Sequence, residues 1–423
     1  MHQSRPGATP NKAGTVLFAS LIGTTIEFFD FYIYATAAVL VFPKLFFPAG
    51  DAAAATLQSL ATFAIAFFAR PVGSAVFGHF GDRIGRKATL VAALLTMGLS
   101  TVVIGMLPTY ASIGAWAPLL LALCRFGQGL GLGGEWGGAV LLATENAPPG
   151  KRAWYGMFPQ LGAPIGFFLS GGIFLLLSEV LTDTQFFSFG WRIPFLSSAL
   201  LVLVGLYVRL KITETPDFQK VLDKGERVKV PVLAVLRDHT RMLVLGTLMA
   251  MATFVLFYLM TVFALNWGVS ALGFSREHFL VLQLFAVLFF GLTIPLAALL
   301  ADRYGRRRTL IAISAVIALF GLTMAPLFGS GSTTQVTVFL CLGLALMGMT
   351  YGPLGTILSE LFPAEVRYTG ASLTFNLAGI LGASLAPYIA TMLANQYGLQ
   401  YVGYYLSIAA LLSLGALVLA RAK

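Results

Sequence analysis

Five ionisable side chains stand inside long apolar runs: Glu27 and Asp30 in one, Arg70 in the next, and Arg125 and Glu135 in a third. An unpaired charge at the centre of a bilayer costs at least ~2.5 kcal/mol, so such residues mark proton relays and ligand sites. An acid that alternates between a cation and an apolar pocket can take and release a proton. This chemistry is assigned first to Asp30, with Arg125 as the partner that competes for its charged form. Glu27 lies one turn earlier on the same helix face and is the rival proton site. Arg70 is the candidate for a substrate carboxylate, because a guanidinium matches that group with two hydrogen bonds. The plainer alternatives are that Arg70 pairs with Glu27 or Glu135, and that the charges only lock helices together. Neutral candidates for the site, beside Arg125 and Glu135, are Gln128, Gln160, Tyr34, Tyr258, Asn266, Tyr351 and Asn376. Gln58, Tyr32, Trp136, Trp267 and Gln283 are weaker ones, and any of these can equally serve as a helix–helix hydrogen bond.

Elements of a particular kind must position these residues. The chain has 423 residues, 58% of them hydrophobic and 10% charged, where a soluble domain carries about 25% charged residues. Apolar runs of about 20 residues, enough to cross a bilayer as helix, fill nearly all of it. The expected fold is all-α with twelve spans, near 16–42, 56–80, 88–108, 117–143, 153–178, 191–209, 241–268, 278–301, 309–329, 334–359, 368–394 and 398–420. A rise of 1.5 Å per residue puts Asp30 about 19 Å from the outer end of its helix, Arg70 about 18 Å from Asp82 and Arg125 about 12 Å into helix 4. All three then fall near the middle of a core about 30 Å thick. The first run is too long, and too charged near its middle, for a signal-peptide core. Cys124 and Cys341 both fall in apolar runs, so they read as small hydrophobes and not as a disulfide framework.

Basic residues set the expected orientation. With the N-terminus cytoplasmic, all but five of the 27 Lys and Arg fall in segments on that side, among them Arg209 through Arg241. Only Lys44 and Arg276 fall outside, and Arg70, Arg125 and Arg192 fall in helices. This bias follows the positive-inside rule and accounts for the net charge of +10 without nucleic acid. The expected organisation is a tail at 1–15, a six-helix bundle at 16–209, a cytoplasmic linker at 210–240 and a second bundle at 241–423.

The two halves share punctuation. Gly81-Asp82-Arg83-Ile84-Gly85-Arg86-Lys87 follows helix 2, and Ala301-Asp302-Arg303-Tyr304-Gly305-Arg306-Arg307 follows helix 8. After helices 4 and 10, Glu145, Pro148 and Arg152 answer to Glu360, Pro363 and Arg367 with equal spacing. Internal repeats of this kind mark transporter halves related by pseudo-symmetry. Gly85 and Gly305 permit the positive φ of a tight turn. The charges of these loops are read as a gate whose bridges break when the halves rock. The charge content of the spans is unequal: the second half has no Asp, Glu, Lys or Arg from Phe279 to Ala301, from Thr309 to Ser359 or from Tyr368 to Ala420.

With these loops, seven segments carry a family likeness: Ile26-Glu27-Phe28-Phe29-Asp30-Phe31-Tyr32, Arg70-Pro71-Val72-Gly73, Arg125-Phe126-Gly127-Gln128-Gly129, Gly133-Gly134-Glu135-Trp136, Trp191-Arg192-Ile193-Pro194-Phe195, Glu214-Thr215-Pro216 and Phe362-Pro363-Ala364-Glu365-Val366-Arg367. From about Val16 to Ala420 the chain resembles the major facilitator superfamily and, within it, the metabolite:proton symporter family. The resemblance implies two pseudo-symmetric six-helix bundles around a central cavity, alternating access, cytoplasmic termini and proton-driven uptake of a small solute by a monomer in a bacterial inner membrane. Relatives of this kind carry shikimate, α-ketoglutarate, citrate, or proline and betaines. Related carriers place an acid in helix 1 and an arginine in helix 4, as Asp30 and Arg125 stand here. A carboxylate-bearing solute is expected, and a zwitterionic or neutral one is the alternative.

Other classes fit less well. No His-Glu-x-x-His occurs, and His2, His79, His239 and His278 are scattered without metal-ligand spacing, so no enzyme, metal or cofactor is expected. A channel would need a charge ring or a repeated filter, and a non-transporting receptor would need a signalling domain. The glycines from Gly127 to Gly138 follow no strand and read as close helix packing, not as a nucleotide loop.

Overall fold

The computed structural model describes residues 13–48, 50, 52–211 and 230–420, without the side chains of Ala53 and Arg86. The motif at Glu214-Thr215-Pro216 and the gate side chain of Arg86 therefore lie outside the described residues. No strand occurs among those described, and twelve long helices account for most of them. They are α1 Ala13–Leu40, α2 Ala52–Arg83, α3 Arg86–Met106, α4 Trp116–Thr144, α5 Arg152–Val180 and α6 Arg192–Leu210. After the linker come α7 Thr240–Ser270, α8 Arg276–Tyr304, α9 Arg306–Ser330, α10 Thr333–Glu360, α11 Arg367–Gln396 and α12 Leu399–Leu419. No helix end departs by more than four residues from the spans read in the sequence.

Eleven of the helices are long and apolar enough to cross a membrane among the described residues. The twelfth, α4, has 29 residues, or about 43 Å of helix. Its glycines and its charges Arg125 and Glu135 make it less apolar than the rest. It lies at the centre of the first half, packed on both α2 and α3. Side chains such as Leu200, Leu292 and Leu319 point outward and stay exposed. Arg125, Gln128, Glu135 and Gln160 are buried. This apolar-out, polar-in pattern is what a lipid-facing surface demands.

The same pairings recur in each half. α1 packs on α5 and α7 on α11; α2 packs on α4 and α8 on α10; α3 packs on α6 and α9 on α12. The halves meet along a seam where α2 lies on α11, α4 on α11, and α5 on α8 and α10. Gly85 and Gly305, at φ 138° and 94°, turn the chain from α2 into α3 and from α8 into α9, and only glycine takes such angles without strain.

Two features were not visible in the sequence. A short helix, Pro231–Asp238, stands inside the segment read as linker, and its Val235 is fully buried against Leu243, Phe362 and Val366 of the second half. In addition, α7 and α11 each contain a π-turn, at Leu259–Phe263 and Ile380–Ser384. Such turns leave backbone carbonyls without their usual partners and cluster at functional sites.

Close packing of α4 on α2 explains the glycine run. A Cβ at Gly129 would sit 2.7 Å from both Ala66 Cα and Ala69 Cβ, and one at Gly133 would sit 2.8 Å from the Ser74 amide nitrogen. A Gly129→Val protein should therefore lose roughly 1–3 kcal/mol of stability through overpacking. The expected result is a lowered thermal unfolding midpoint in detergent, while Gly14→Val, where a Cβ meets nothing within 4 Å, should leave the midpoint unchanged.

Candidate substrate and proton site

Apart from Asp82 at the loop-bearing end, six charged side chains are buried in the spans of the first half: Glu27, Asp30, Arg70, Arg125, Glu135 and Arg209, none more than 4% exposed. They fall into three groups. Glu135 on α4 and Arg209 near the end of α6 form a two-pronged ion pair, one prong being Arg209 Nη1 to Glu135 Oε2 at 2.8 Å. Arg209 Nη1 also donates to the Leu90 carbonyl at 2.6 Å. Counting basic residues had placed Arg209 in a cytoplasmic loop; the structure corrects this. Its guanidinium turns inward over Gly23 of α1, where a Cβ would lie 3.2 Å from Cζ. In this state the Glu135 carboxylate is therefore occupied by Arg209, not by Arg70, and is not open to a ligand.

The second group surrounds Asp30. Its carboxyl faces the hydroxyls of Thr101 on α3 and Ser198 on α6, and its Oδ1 is buried without a hydrogen bond among the described residues. The expected ion pair with Arg125 is not formed. Arg125 instead donates to Gln128 Oε1 at 2.9 Å and to the Phe63 carbonyl at 3.3 Å. Gln128 Nε2 donates in turn to Thr101 Oγ1 at 2.8 Å. Thr101, whose hydroxyl itself donates to the Met97 carbonyl at 3.0 Å, and Gln128 thus stand between Asp30 and Arg125. The guanidinium is sheathed by aromatic faces, 4.1 Å from the Tyr34 ring and 4.3 Å from Phe31, an arrangement that stabilises a desolvated cation. Tyr34 donates to Thr62 Oγ1 at 3.1 Å and so serves this group and not the seam.

Arg70 is the third group. Its guanidinium lies 5.0 Å from the rings of Phe31 and Phe67. Its Nε is buried without a hydrogen bond, and it forms no ion pair among the described residues. It projects across the seam: a Cβ built on Gly379 of α11 would lie 3.7 Å from Arg70 Nη1. Gly379 directly precedes the π-turn of α11. Tyr258 of α7 packs edge-on against Phe67 at 5.4 Å and, with Tyr32, also lines a small, partly open cavity. That cavity lies among α1, α5, α7 and α8, with Thr36, Phe167, Thr261 and Gln283 in its wall. These residues sit toward the end of the bundle opposite Asp82 and Asp302.

Several neutral candidates serve the seam itself. Gln160 of α5 accepts from Trp136 Nε1 at 3.0 Å and donates to the Tyr351 carbonyl of α10 at 2.9 Å. Asn376 of α11 donates to Ser74 Oγ of α2 at 2.7 Å. Trp136 of α4 stacks on Phe375 of α11 at 3.6 Å. Gln283 donates to the Met260 and Thr261 carbonyls at 3.2 and 2.8 Å, which satisfies the π-turn of α7. Asn266 donates to Thr391 at 3.3 Å. The Tyr351 hydroxyl and Asn376 Oδ1 are buried without hydrogen bonds, so those two still offer polar atoms at the seam.

At the end that carries the repeated loops, the charges cross between halves. Asp82 of α2 accepts from the Thr369 amide at 3.2 Å and its hydroxyl at 2.7 Å, at the start of α11. Asp302 of α8 accepts from the amides of Ala153 and Trp154 at 3.1 and 3.0 Å, at the start of α5. Each aspartate thus caps the N-terminus of a helix in the opposite half, where free amides and the helix dipole favour an anion. The second repeat crosses in the same way. Arg152 approaches Glu360 at 3.8 Å, and Arg367 approaches Glu145 at 3.7 Å. Arg306 joins Glu360 at 3.1 Å and Asp302 at 3.6 Å. Two expected gate residues stand apart: Arg83 meets its own helix neighbour His79 at 3.3 Å, and Arg303 lies over the adjacent Tyr304 ring.

The family model described as Major Facilitator Superfamily matches residues 20–379 and 284–423. The chain is 63% identical over 414 residues to the inner membrane metabolite transport protein YhjE of Escherichia coli K12, covering 97% of this chain and 94% of that protein. It is 36% identical to the shikimate transporter of the same organism, covering 96% and 93%. Its fold matches the proton:xylose symporter XylE bound to 6-bromo-6-deoxy-D-glucose with a TM-score of 0.74, at 18% identity over 95% of this chain and 94% of that one.

The buried pair gives a measurable expectation. Removing one partner of a buried ion pair strands the other and costs about 3–5 kcal/mol. Glu135→Gln and Arg209→Met should each lower the unfolding midpoint sharply, and the double variant should recover much of the loss. A double variant that loses the sum of the two single losses would disprove direct pairing.

Proposed function

The chain belongs to the Major Facilitator Superfamily, and from that membership we propose that it is a proton-coupled symporter of a small, carboxylate-bearing metabolite working by alternating access. The observation that carries this is Arg70: a buried guanidinium that forms no ion pair among the described residues and reaches across the seam to α11, a helix with no acid along its length. A cation held there needs an anion for part of the cycle, and the solute supplies it. The aromatic wall of Phe31, Phe67 and Tyr258 packs the solute's body, and the Tyr351 hydroxyl is a hydrogen-bond partner for it.

Asp30 is the group that takes the driving proton. It is buried away from any cation partner in this state, and Thr101 and Gln128 stand between it and Arg125. A shift of α1 against α4 in the alternate state brings carboxylate and guanidinium together and expels the proton. The crossing caps at Asp82 and Asp302 hold the loop-bearing end shut, and that end is the cytoplasmic one by its arginines and lysines. The cavity behind Tyr32 and Tyr258 is then the approach from outside. The protein sits in the inner membrane as a monomer with both termini in the cytoplasm, and its partners are the lipid bilayer, the solute and the proton.

Uptake into proteoliposomes tests this reading. Wild-type protein should accumulate a carboxylate against its gradient only with an inward proton gradient. Asp30→Asn should abolish uphill accumulation while solute exchange continues; uphill uptake by that variant removes Asp30 from the role. Arg70→Ala should weaken carboxylate uptake roughly 10- to 100-fold, the value of a charge-assisted hydrogen bond. Equal uptake of carboxylate and neutral solutes by wild type and Arg70→Ala alike would sink the carboxylate assignment. Asp302→Asn should raise the labelling rate of a cysteine placed at Ser359, because the cap that holds α5 to α8 is weakened.

A further inference from the structure

One face of α1 carries Gly23, Glu27 and Phe31, each a turn from the next. Arg209 lies over Gly23, and Arg70 lies 5.0 Å from the Phe31 ring. Glu27 stands between them with both carboxylate oxygens buried and without a hydrogen bond. The two flanking arginines differ in commitment. Arg209 is held by Glu135 and by the Leu90 carbonyl, while Arg70 forms no ion pair among the described residues. Glu27 is therefore the acid left to balance Arg70, and the two form no ion pair within 4.0 Å. Its other polar neighbours are Asp30 and Tyr32 on its own helix and Tyr351 from α10. Glu135 of α4 is already neutralised.

With Asp30 holding its proton, Glu135 is matched by Arg209, Arg125 is left to its aromatic sheath, and Glu27 is the acid that remains to match Arg70. A carboxylate that enters to pair with Arg70 sets two buried negative charges against one guanidinium, and the surplus charge is costly there. We infer that Glu27 and the substrate carboxylate exchange places as the counter-ion of Arg70, so that each carboxylate bound draws one proton from solution onto Glu27. The step balances: a carboxylate and a proton enter together, the Arg70–carboxylate pair forms, and Glu27 becomes the neutral acid. This rests on the carboxylate reading of Arg70. It gives the two acids of α1 different duties, with Asp30 following the conformation and Glu27 following the substrate. It also makes stoichiometry a property of the solute, one proton per carboxylate paired with Arg70.

Calorimetric titration of the purified full-length protein with acetate, lactate and shikimate, in buffers of differing ionisation enthalpy, measures protons taken up per ligand. Wild type should take up one, and its apparent Kd should rise by up to tenfold per unit increase in pH. Glu27→Gln should bind the same acids with no linked proton and a Kd flat in pH, and Glu27→Asp should restore the linkage. Wild-type binding without proton uptake, or full uptake retained in Glu27→Gln, overturns the inference and leaves the carboxylate reading standing. If none of the three acids binds wild type, both fall together. Should Glu27→Gln fail to fold, Asp30→Asn decides: one proton still taken up per ligand supports the inference, and none overturns it.

Discussion

An arginine held in a dry bundle without a resident partner is the constraint from which the other features follow. Arg70 lies at the seam, cushioned on Phe31 and Phe67, and aromatic faces offset only part of the cost of removing a guanidinium from water. Glu27 supplies opposite charge at a distance without closing a bridge. Were the two in contact, the pair would be a structural lock like Glu135 with Arg209. Left apart, the cation stays available. The free energy that a tight bridge would have given to stability is kept for a ligand, in the way that functional sites retain local frustration.

The neighbouring groups keep that cation isolated. Glu135 is consumed by Arg209, and Arg125 by Gln128, the Phe63 carbonyl and three aromatic faces. The second half contributes backbone and neutral side chains only. Of its two π-turns, one is answered by Gln283 and the other begins beside Arg70. Charge on one side of the seam and neutral polarity on the other means that a solute has one electrostatic orientation to adopt.

Much of this was legible in the sequence, for reasons that particular residues make plain. Twelve spans follow from hydropathy because the bilayer forces backbone polarity to be satisfied within each helix. The repeats at Asp82 and Asp302, and at Glu145 and Glu360, fix equivalent loops because pseudo-symmetric halves need equivalent ends. Their partners were not legible. That each aspartate reaches into the opposite half is a fact of tertiary contact, and no local signal encodes it. Arg209 was misplaced because a charge count near a helix end cannot tell a side chain that turns to water from one that turns inward. The signal that could have found it was Gly23, a gap on α1 of a guanidinium's width, together with a deep acid at Glu135 in need of a cation. The Asp30–Arg125 pair was expected from depth and from the family likeness, and Thr101 and Gln128 took its place because hydroxyl and amide groups fill the distance between the two helices.

The contrast between the symmetric gate and the asymmetric core explains how a duplicated fold can be driven in one direction. At the loop-bearing end the contacts are reciprocal: Asp82 to the start of α11 and Asp302 to the start of α5, Glu145 to Arg367 and Glu360 to Arg152. Reciprocal contacts make and break together, which favours two discrete arrangements over a continuum. Such a device has no preferred cargo and no preferred ion. Preference comes from the core, where symmetry is absent and all six buried charges belong to one half. An equilibrium between two states can be shifted only by a ligand that binds them differently, and a proton does so only where the field around an acid changes with the state. Duplication thus supplies the two states, and the loss of symmetry in the charged core lets ions and solutes choose between them.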